Sequence, residues 1–358
     1  MDQRKKARLD ELSIDSSSSL IDALRRMDEI DRKLLVVTRD DEYAGIISAG
    51  DIQRGIIENH GLGTAIDQLM GAREIRVARV GDSFEAIRTM MLRHRTEFMP
   101  VLGAQGRLVD VHFWDEVFGA REMVRGRIDL PVVIMAGGKG TRLKPFSNIL
   151  PKALFPVGEK TILEEIIQRF RDQGCEDFWL SVNHKADFIQ TYVEQLEDPP
   201  RSVRYLHEDA PLGTAGSLAH LQGEIATTLI VSNCDILVEA DYGEIVDYHR
   251  EGGNDITLVG ALKEIRIPYG TLETGDGGQL TAFREKPNLN YLINTGLYVL
   301  EPGVLERITP GAPYDMTQLV DAVRGEGGRV GVFPVSEKSW LDIGEWQEYE
   351  RTIRLVSP

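Results

Sequence analysis

Three glycines, three cations and a hydroxyl crowd into the stretch Met135-Ala136-Gly137-Gly138-Lys139-Gly140-Thr141-Arg142-Leu143-Lys144-Pro145. Glycine lets a backbone come close to a ligand and turn its N–H groups toward an anion, while Lys139 and Arg142 bring compensating charge, so the segment suits a polyphosphate. Its spacing is neither G-x-G-x-x-G nor G-x-x-x-x-G-K-[ST], which sets aside the dinucleotide fingerprint and the Walker loop. A glycine-rich turn after a strand also serves as a plain turn, so its continuation matters. Pro151-Lys152-Ala153-Leu154-Phe155-Pro156 adds another cation, Asn233-Cys234-Asp235 puts a carboxylate after an apolar run, and Trp340-Leu341-Asp342-Ile343-Gly344 adds a second one. Two carboxylates suit Mg2+ or Mn2+, cations that keep several waters and take their remaining ligands from phosphates. Taken singly, Asp342 would cap a helix starting near Gly344, and Arg142 or Lys152 would be an ordinary surface charge.

These residues need a scaffold, and the second two-thirds of the chain reads as one. Strand Val132–Met135 precedes the glycine-rich loop, and the order continues with helix Ile162–Phe170, strand Phe178–Val182, helix Ala186–Leu196, strand Leu229–Ser232 and a helix begun by Asp241. Apolar strands alternating with amphipathic helices predict a mostly parallel sheet covered by helices, with ligands at the carboxyl ends of the strands. In Glu208-Asp209-Ala210-Pro211-Leu212-Gly213-Thr214-Ala215-Gly216, small residues leave backbone groups open to a flat ring edge, and Thr214 reads equally as the cap of a following helix.

The first 120 residues follow a different grammar, a faint repeat of helix, strand, strand, helix. Copy one has the stripe Leu20, Ile21, Leu24 and Met27, strand Leu34–Thr38, strand Gly45–Ser48 and a helix opened by Asp51. Copy two has the stripe Phe84, Ile87, Met90 and Met91, strand Phe98–Leu102 and strand Leu108–Val111. The run Gly45 to Ile52 aligns with Val109 to Glu116, so Ser48 and Asp51 match His112 and Asp115. The expected boundaries are 1–120 for this module, 121–129 for a linker with no apolar period, and 130–358 for the second domain.

The paired loops at Ala136–Pro145 and Pro151–Pro156 resemble the signature of the sugar-phosphate nucleotidyltransferase family, which has Pro where this chain has Ala153 and Gly where it has Cys234. The resemblance covers residues 130 to about 347. It implies a Rossmann-like α/β domain that joins a sugar 1-phosphate to the nucleotidyl part of a nucleoside triphosphate, with Arg142 and Lys152 catalytic and a divalent metal on Asp235 and Asp342. Ala136, Gly137, Gly138, Lys139, Gly140 and Thr141 would hold the nucleotide's phosphates, and Gly213, Thr214 and Ala215 its base. Tyr269-Gly270, Glu285-Lys286 and Asn294-Thr295 match the family in order and would bind the sugar phosphate. The Gly-Thr-Ala-Gly form is closer to guanylyl-transferring members than to thymidylyl-transferring ones. The first 120 residues resemble a tandem pair of CBS motifs, a Bateman module, which implies an adenine nucleotide held near Ser48, Asp51 and Asp115 and a homo-oligomer formed through the module. The two parts together are similar in architecture to glucosamine-1-phosphate guanylyltransferases of legionaminic acid synthesis, with mannose-1-phosphate guanylyltransferase as the alternative and a non-catalytic nucleotide sensor as the reading from another class.

Composition narrows the field further. A formal charge of −16 and a pI near 5.0 argue against a nucleic-acid partner, which needs a basic face to displace counterions. Only Cys175 and Cys234 are present, too few for a disulfide framework, which fits a reducing compartment. Met1 to Asp10 is charged rather than apolar, and no run reaches bilayer-spanning length. The expectation is a cytoplasmic protein without a membrane anchor.

Overall fold

The computed structural model describes the chain except residues 1–2, 31, 41, 71–76, 95–97, 114–116, 118–126, 337–338, 345, 347–348 and 350–358. The chain divides into two compact units, Met1–Val124 and Arg125–Pro358. None of the helices among the described residues is long and apolar enough to cross a membrane.

In the first unit, α1 (Gln3–Leu12) leads to β1 (Ser13–Asp15), α2 (Leu20–Glu29), β2 (Leu34–Arg39), β3 (Glu42–Ser48) and α3 (Ala49–Ile57). A second set follows with β4 (Ala78–Arg79), α4 (Phe84–His94), β5 (Phe98–Leu102) and β6 (Leu108–Phe113). Each set makes a three-stranded sheet, β1-β2-β3 and β4-β5-β6, with the first pair parallel and the second antiparallel. The repeat read from the sequence is therefore structural, and Leu9, Leu12, Leu34, Val36, Val111 and Phe113 from both copies share one buried cluster.

Three expectations need correction here. The helix α3 is not opened by Asp51: Ser48 is its N-cap and Asp51 stands one turn inside, its carboxylate accepting the Ser48 N–H. That reciprocal capping satisfies two orphan donors at once, which a lone Asp cap cannot do. The strand β6 runs through Phe113, so His112 is a strand residue opposite Met99 rather than the counterpart of the strand-ending Ser48. Of the second helical stripe, Ile87 and Met91 are buried, but Phe84 is 54% exposed and lies edge-on to the His112 ring. Asp115 and most of the segment 121–129 lie outside the described residues.

The second unit holds a seven-stranded sheet. Its elements are β7 (Val132–Met135), β8 (Pro156–Val157), β9 (Lys160–Thr161), α5 (Ile162–Arg171), β10 (Asp177–Val182), α6 (Ala186–Glu194), β11 (Ser202–His207), β12 (Leu229–Asn233), β13 (Ile236–Val238), α7 (Tyr242–Gly252), β14 (Ile256–Arg266), β15 (Thr271–Thr274), β16 (Leu280–Arg284), β17 (Asn288–Leu300), α8 (Met316–Gly325), β18 (Val330–Val335) and β19 (Trp340–Asp342). The strand order is β11-β10-β7-β12-β17-β14-β18. Four neighbouring pairs are parallel, and β17 alone runs against both its neighbours.

Burial explains why the central strands are apolar throughout. Val132 and Ile134 of β7 face one core cluster while Val133 faces the other, so helices cover both faces, as a parallel sheet requires. On one face α5 contributes Ile162, Leu163, Ile166, Ile167 and Phe170, a stripe at helical spacing, and its Thr161 cap accepts the Glu164 N–H. Successive strands build outward from β7 on one side as β10 and β11 and on the other from β12. That reversal of strand order opens a crevice at the carboxyl ends of β7 and β12.

Phe178 of β10 is fully buried in the larger cluster. Replacing it with Ala is expected to cost about 3–5 kcal/mol, measured as a lowered urea midpoint followed by tryptophan fluorescence. An unchanged midpoint would mean that this cluster is not the unit's core.

Candidate functional site

The crevice is where the sequence motifs meet. The parallel pairing of β7 with β12 puts Met135 opposite Asn233, and the pairing of β7 with β10 puts it opposite Ser181, so three chain segments leave the sheet side by side. The Ala136 N–H is held by the Ser181 carbonyl at 2.8 Å, and the glycine-rich loop begins there. At Gly137 the space is tight: a Cβ would stand 2.9 Å from Glu208 Oε1 and 3.3 Å from Asn183 Cβ. Gly140 has a left-handed backbone (φ 59°), and a Cβ there would meet the Cβ atoms of Lys152 and Ser147 at 3.2 and 3.3 Å. The turn Thr141–Leu143 follows, with Leu143 buried as its anchor and Thr141 and Arg142 exposed, as are Gly138 and Lys139.

Lys152 opens the short turn Lys152–Leu154, fixed from below by buried Ala153 and Leu154. Its Nζ donates to Asp235 Oδ2 at 2.5 Å, and only 11% of the side chain is exposed. Asp235 sits in the turn between β12 and β13, and Asp342 ends β19, the antiparallel partner of β13. The pairing sets Ile236 opposite Asp342, and the Asp235 carbonyl accepts the Ile343 N–H at 2.8 Å. A Cβ on Gly344 would lie 2.7 Å from Asp342 Oδ1 and 3.5 Å from both Asp235 Oδ2 and Lys152 Nζ. Two carboxylates and an ammonium from three distant segments therefore converge on one point. No group of three or more His, Cys, Asp or Glu among the described residues could hold a metal. The carboxylate pair fits a hard cation that draws most of its ligands from water and phosphate, and does not fit a soft or fully caged one.

The stretch of small residues lies against α8. Gly213 has a left-handed backbone (φ 79°) and packs within 2.6 Å, at its Cβ position, of Asp315 Oδ1. Thr214 does not cap the helical turn that follows it, as the sequence suggested; its Oγ1 accepts the Met316 N–H at 2.8 Å, tying the loop to the start of α8. The Ala215 N–H donates to the Tyr314 carbonyl at 2.9 Å.

The remaining expected residues form a second group. Tyr269, 75% exposed, and Gly270 precede β15, while Glu285 and Lys286 follow β16, and the hairpin brings them together: a Gly270 Cβ would lie 3.0 Å from Glu285 Oε2. Asn294 donates from Nδ2 to the Tyr298 hydroxyl at 2.7 Å and accepts the Gly296 N–H at 3.1 Å. Thr295 is buried, and its hydroxyl donates to the Val259 carbonyl at 2.8 Å, where the β14–β17 register shifts. Its side chain holds the sheet rather than facing a ligand.

Residues 131–357 match the family model described as nucleotidyl transferase, and every residue placed above lies inside that span. The chain belongs to the nucleotidyl transferase family. Residues 8–58 match the CBS domain model, a span that contains Ser48 and Asp51. The chain is 29% identical over 245 residues to a UTP–glucose-1-phosphate uridylyltransferase of Synechocystis, covering 63% of each chain. It is 29% identical over 226 residues to a mannose-1-phosphate guanylyltransferase of Mycobacterium tuberculosis, covering 61% of this chain and 62% of that one. The chain thus spans less than two-thirds of the curated relatives it matches. Among solved structures, HddC from Yersinia pseudotuberculosis aligns over 63% of this chain and 99% of its own, at 28% identity and TM-score 0.50.

Motif reading passed over several polar groups in this crevice. Glu208, after β11, accepts the Ser181 hydroxyl at 2.5 Å on Oε1 and the Leu212 N–H at 3.0 Å on Oε2. Asn183, after β10, donates to the Glu208 carbonyl at 2.6 Å, and Lys185 donates to the Ser147 carbonyl at 3.1 Å. Each stands just past the carboxyl end of a strand, and that position was the available signal.

In the first unit, Ser48 Oγ donates to Asp51 Oδ2 at 2.6 Å, and Arg54 also donates to Asp51. Burial opposes ionisation of Asp51, but the hydrogen bonds from Ser48 and the Arg54 charge outweigh it and hold the carboxyl below its usual range.

Cys234 turns into the sheet core, where burial first and the Asp235 charge second push its thiol up to about 12; burial pushes Cys175 up to about 11. Both thiols stay protonated at neutral pH and are expected to resist a maleimide until the protein is unfolded, counted by mass spectrometry. Rapid labelling of Cys234 in the native state would show this part of the crevice to be open.

Proposed function

We propose that the protein transfers a nucleotidyl group from a nucleoside triphosphate to a sugar 1-phosphate and releases pyrophosphate. The observation that carries this reading is the convergence of Lys152, Asp235 and Asp342 beside a glycine-rich loop at the sheet's central crevice. A phosphate monoester oxygen attacks the α-phosphorus, the bond to the β-phosphate oxygen breaks on the opposite side, and pyrophosphate leaves. The monoester is already a nucleophile, so no general base is needed, and catalysis rests on positioning and charge neutralisation.

In this reading the loop anchored at Ala136 turns the backbone N–H groups of Gly137 to Thr141 to the triphosphate, Lys139 and Arg142 add charge from exposed positions, and Lys152 meets the developing charge from the crevice floor. Gly213, Thr214 and Ala215 border the base, and Glu285, Lys286, Asn294, Tyr269 and Gly270 border the sugar phosphate. Asp235 and Asp342 would hold Mg2+ or Mn2+. Such an ion would neutralise phosphate charge and align the α-phosphate.

GTP is the proposed donor, supported by the guanylyltransferases among the relatives and by an HddC structure described as complexed with GMP-PN. Glucosamine 1-phosphate is the proposed acceptor on the CBS-first architecture; mannose 1-phosphate is the second reading, favoured by the names of several relatives. We take 1–120 as a regulatory and dimerisation module acting in the cytoplasm, with an adenine nucleotide near Ser48 and Asp51, and 130–358 as the catalytic domain.

Pyrophosphate release with Mg2+, scanned across GTP, ATP, UTP, CTP and dTTP against several sugar 1-phosphates, is expected to single out GTP with an aminosugar 1-phosphate. Lys152→Ala should lower kcat by about a hundredfold or more with the fold retained, as loss of one preorganised charge does elsewhere. Silence across the whole grid would move the assignment to a nucleotide sensor, and a fully active Lys152→Ala would remove Lys152 from the catalytic machinery. If the first unit senses adenine nucleotides, AMP will shift kcat or KM in the parent and not in Ser48→Ala. Equal responses would remove that role.

A further inference from the structure

One contact in the crevice is at odds with both jobs assigned to its members. Lys152 should meet phosphate and Asp235 should hold a cation, yet here they hold each other, Nζ to Oδ2 at 2.5 Å. The second carboxylate borders the same point: Lys152 Nζ, Asp235 Oδ2 and Asp342 Oδ1 all lie within 3.5 Å of the Cβ position on Gly344. Two carboxylates brought this close repel each other unless a positive charge stands between them. Lys152 supplies that charge from within the chain.

The Lys152 backbone is anchored by buried Ala153 and Leu154, so a change of partner at Nζ needs rotation of the stem alone. That stem crosses the bare Cα of Gly140, where a Cβ would stand 3.2 Å from Lys152 Cβ and 3.8 Å from its Cδ. Lysine is a compact point charge on a flexible stem, able to exchange one oxygen anion for another without backbone movement.

We propose that Lys152 is an intramolecular cation that competes with divalent metal for the Asp235–Asp342 pair and yields it when a substrate phosphate draws the ammonium away. Metal therefore binds weakly to the free enzyme and enters with the nucleotide. With Lys152 in place the triad carries a net charge of −1; without it the charge is −2, and the attraction for a dication rises accordingly. The inference rests on the reading of Asp235 and Asp342 as the metal-holding pair, and the test separates the two.

Mn2+ is titrated into the full chain without nucleotide, and the free ion is followed by its paramagnetic resonance signal. Lys152→Met is expected to bind Mn2+ about tenfold more tightly than the parent, since a close positive charge is removed. Lys152→Arg, which keeps the charge, is expected to remain as weak as the parent. Lys152→Gln serves as a second neutral variant, and thermal unfolding reports whether each variant is folded. Lys152→Met and Lys152→Gln both binding no more tightly than the parent, while Asp235→Asn still abolishes binding, would overturn the competition and leave the metal pair standing. Undiminished Mn2+ binding by Asp235→Asn would overturn both.

Discussion

The parallel pairing of β7 with β12 is the constraint on which the remainder of the second unit depends. Two apolar strands far apart in sequence lie in register, Val132 beside Ile230 and Met135 beside Asn233, so the loop leaving one and the turn leaving the other start from adjacent points. One loop carries the glycines and cations; the turn carries Asp235. The second carboxylate comes from much later in the chain and is delivered by a small ribbon, β13 with β19, that grows directly out of that turn. The hydrogen bonds of the sheet thus fix the separation of opposite charges to within a side-chain length, which is what electrostatic catalysis needs from its scaffold.

Much of this was legible because chemistry and fold use different residues. The glycine-rich loop, Lys152 and both aspartates stand out by type and spacing, and three strands of the sheet, β7, β10 and β12, stand out as apolar runs between amphipathic helices. Less legible was anything decided by which way a side chain turns. Thr214 looks like a cap for the residues after it, yet it bonds the start of α8 a hundred residues away; Thr295 sits inside a matching motif, yet its hydroxyl bonds the β14 backbone. A local pattern records the presence of a polar group and not its partner. Glu208 was missed for a related reason: one of its partners, Ser181, lies on another strand, and only its place just past the end of β11 marks it.

The first unit follows the same logic on a smaller scale. Its repeat was visible as two helix-strand-strand-helix passages, and the shared cluster of Leu9, Leu34, Val36 and Phe113 shows why two copies are needed, since residues from both bury one another. The reciprocal capping of Ser48 and Asp51 was not legible, because Asp in the first turn of a helix and Asp at its cap differ by only a few positions in sequence.

The hairpin of β15 and β16 stands apart from this economy. Leu272, Leu280 and Phe283 remain largely exposed on it, and neither core cluster of the second unit includes them. Glu285 and Tyr269 hang from its ends, while Asp235 follows directly on the central strand β12. Mutations on the hairpin therefore escape the stability filter that polices β7 and β12. Selection can rewrite that rim while the central crevice is inherited unchanged.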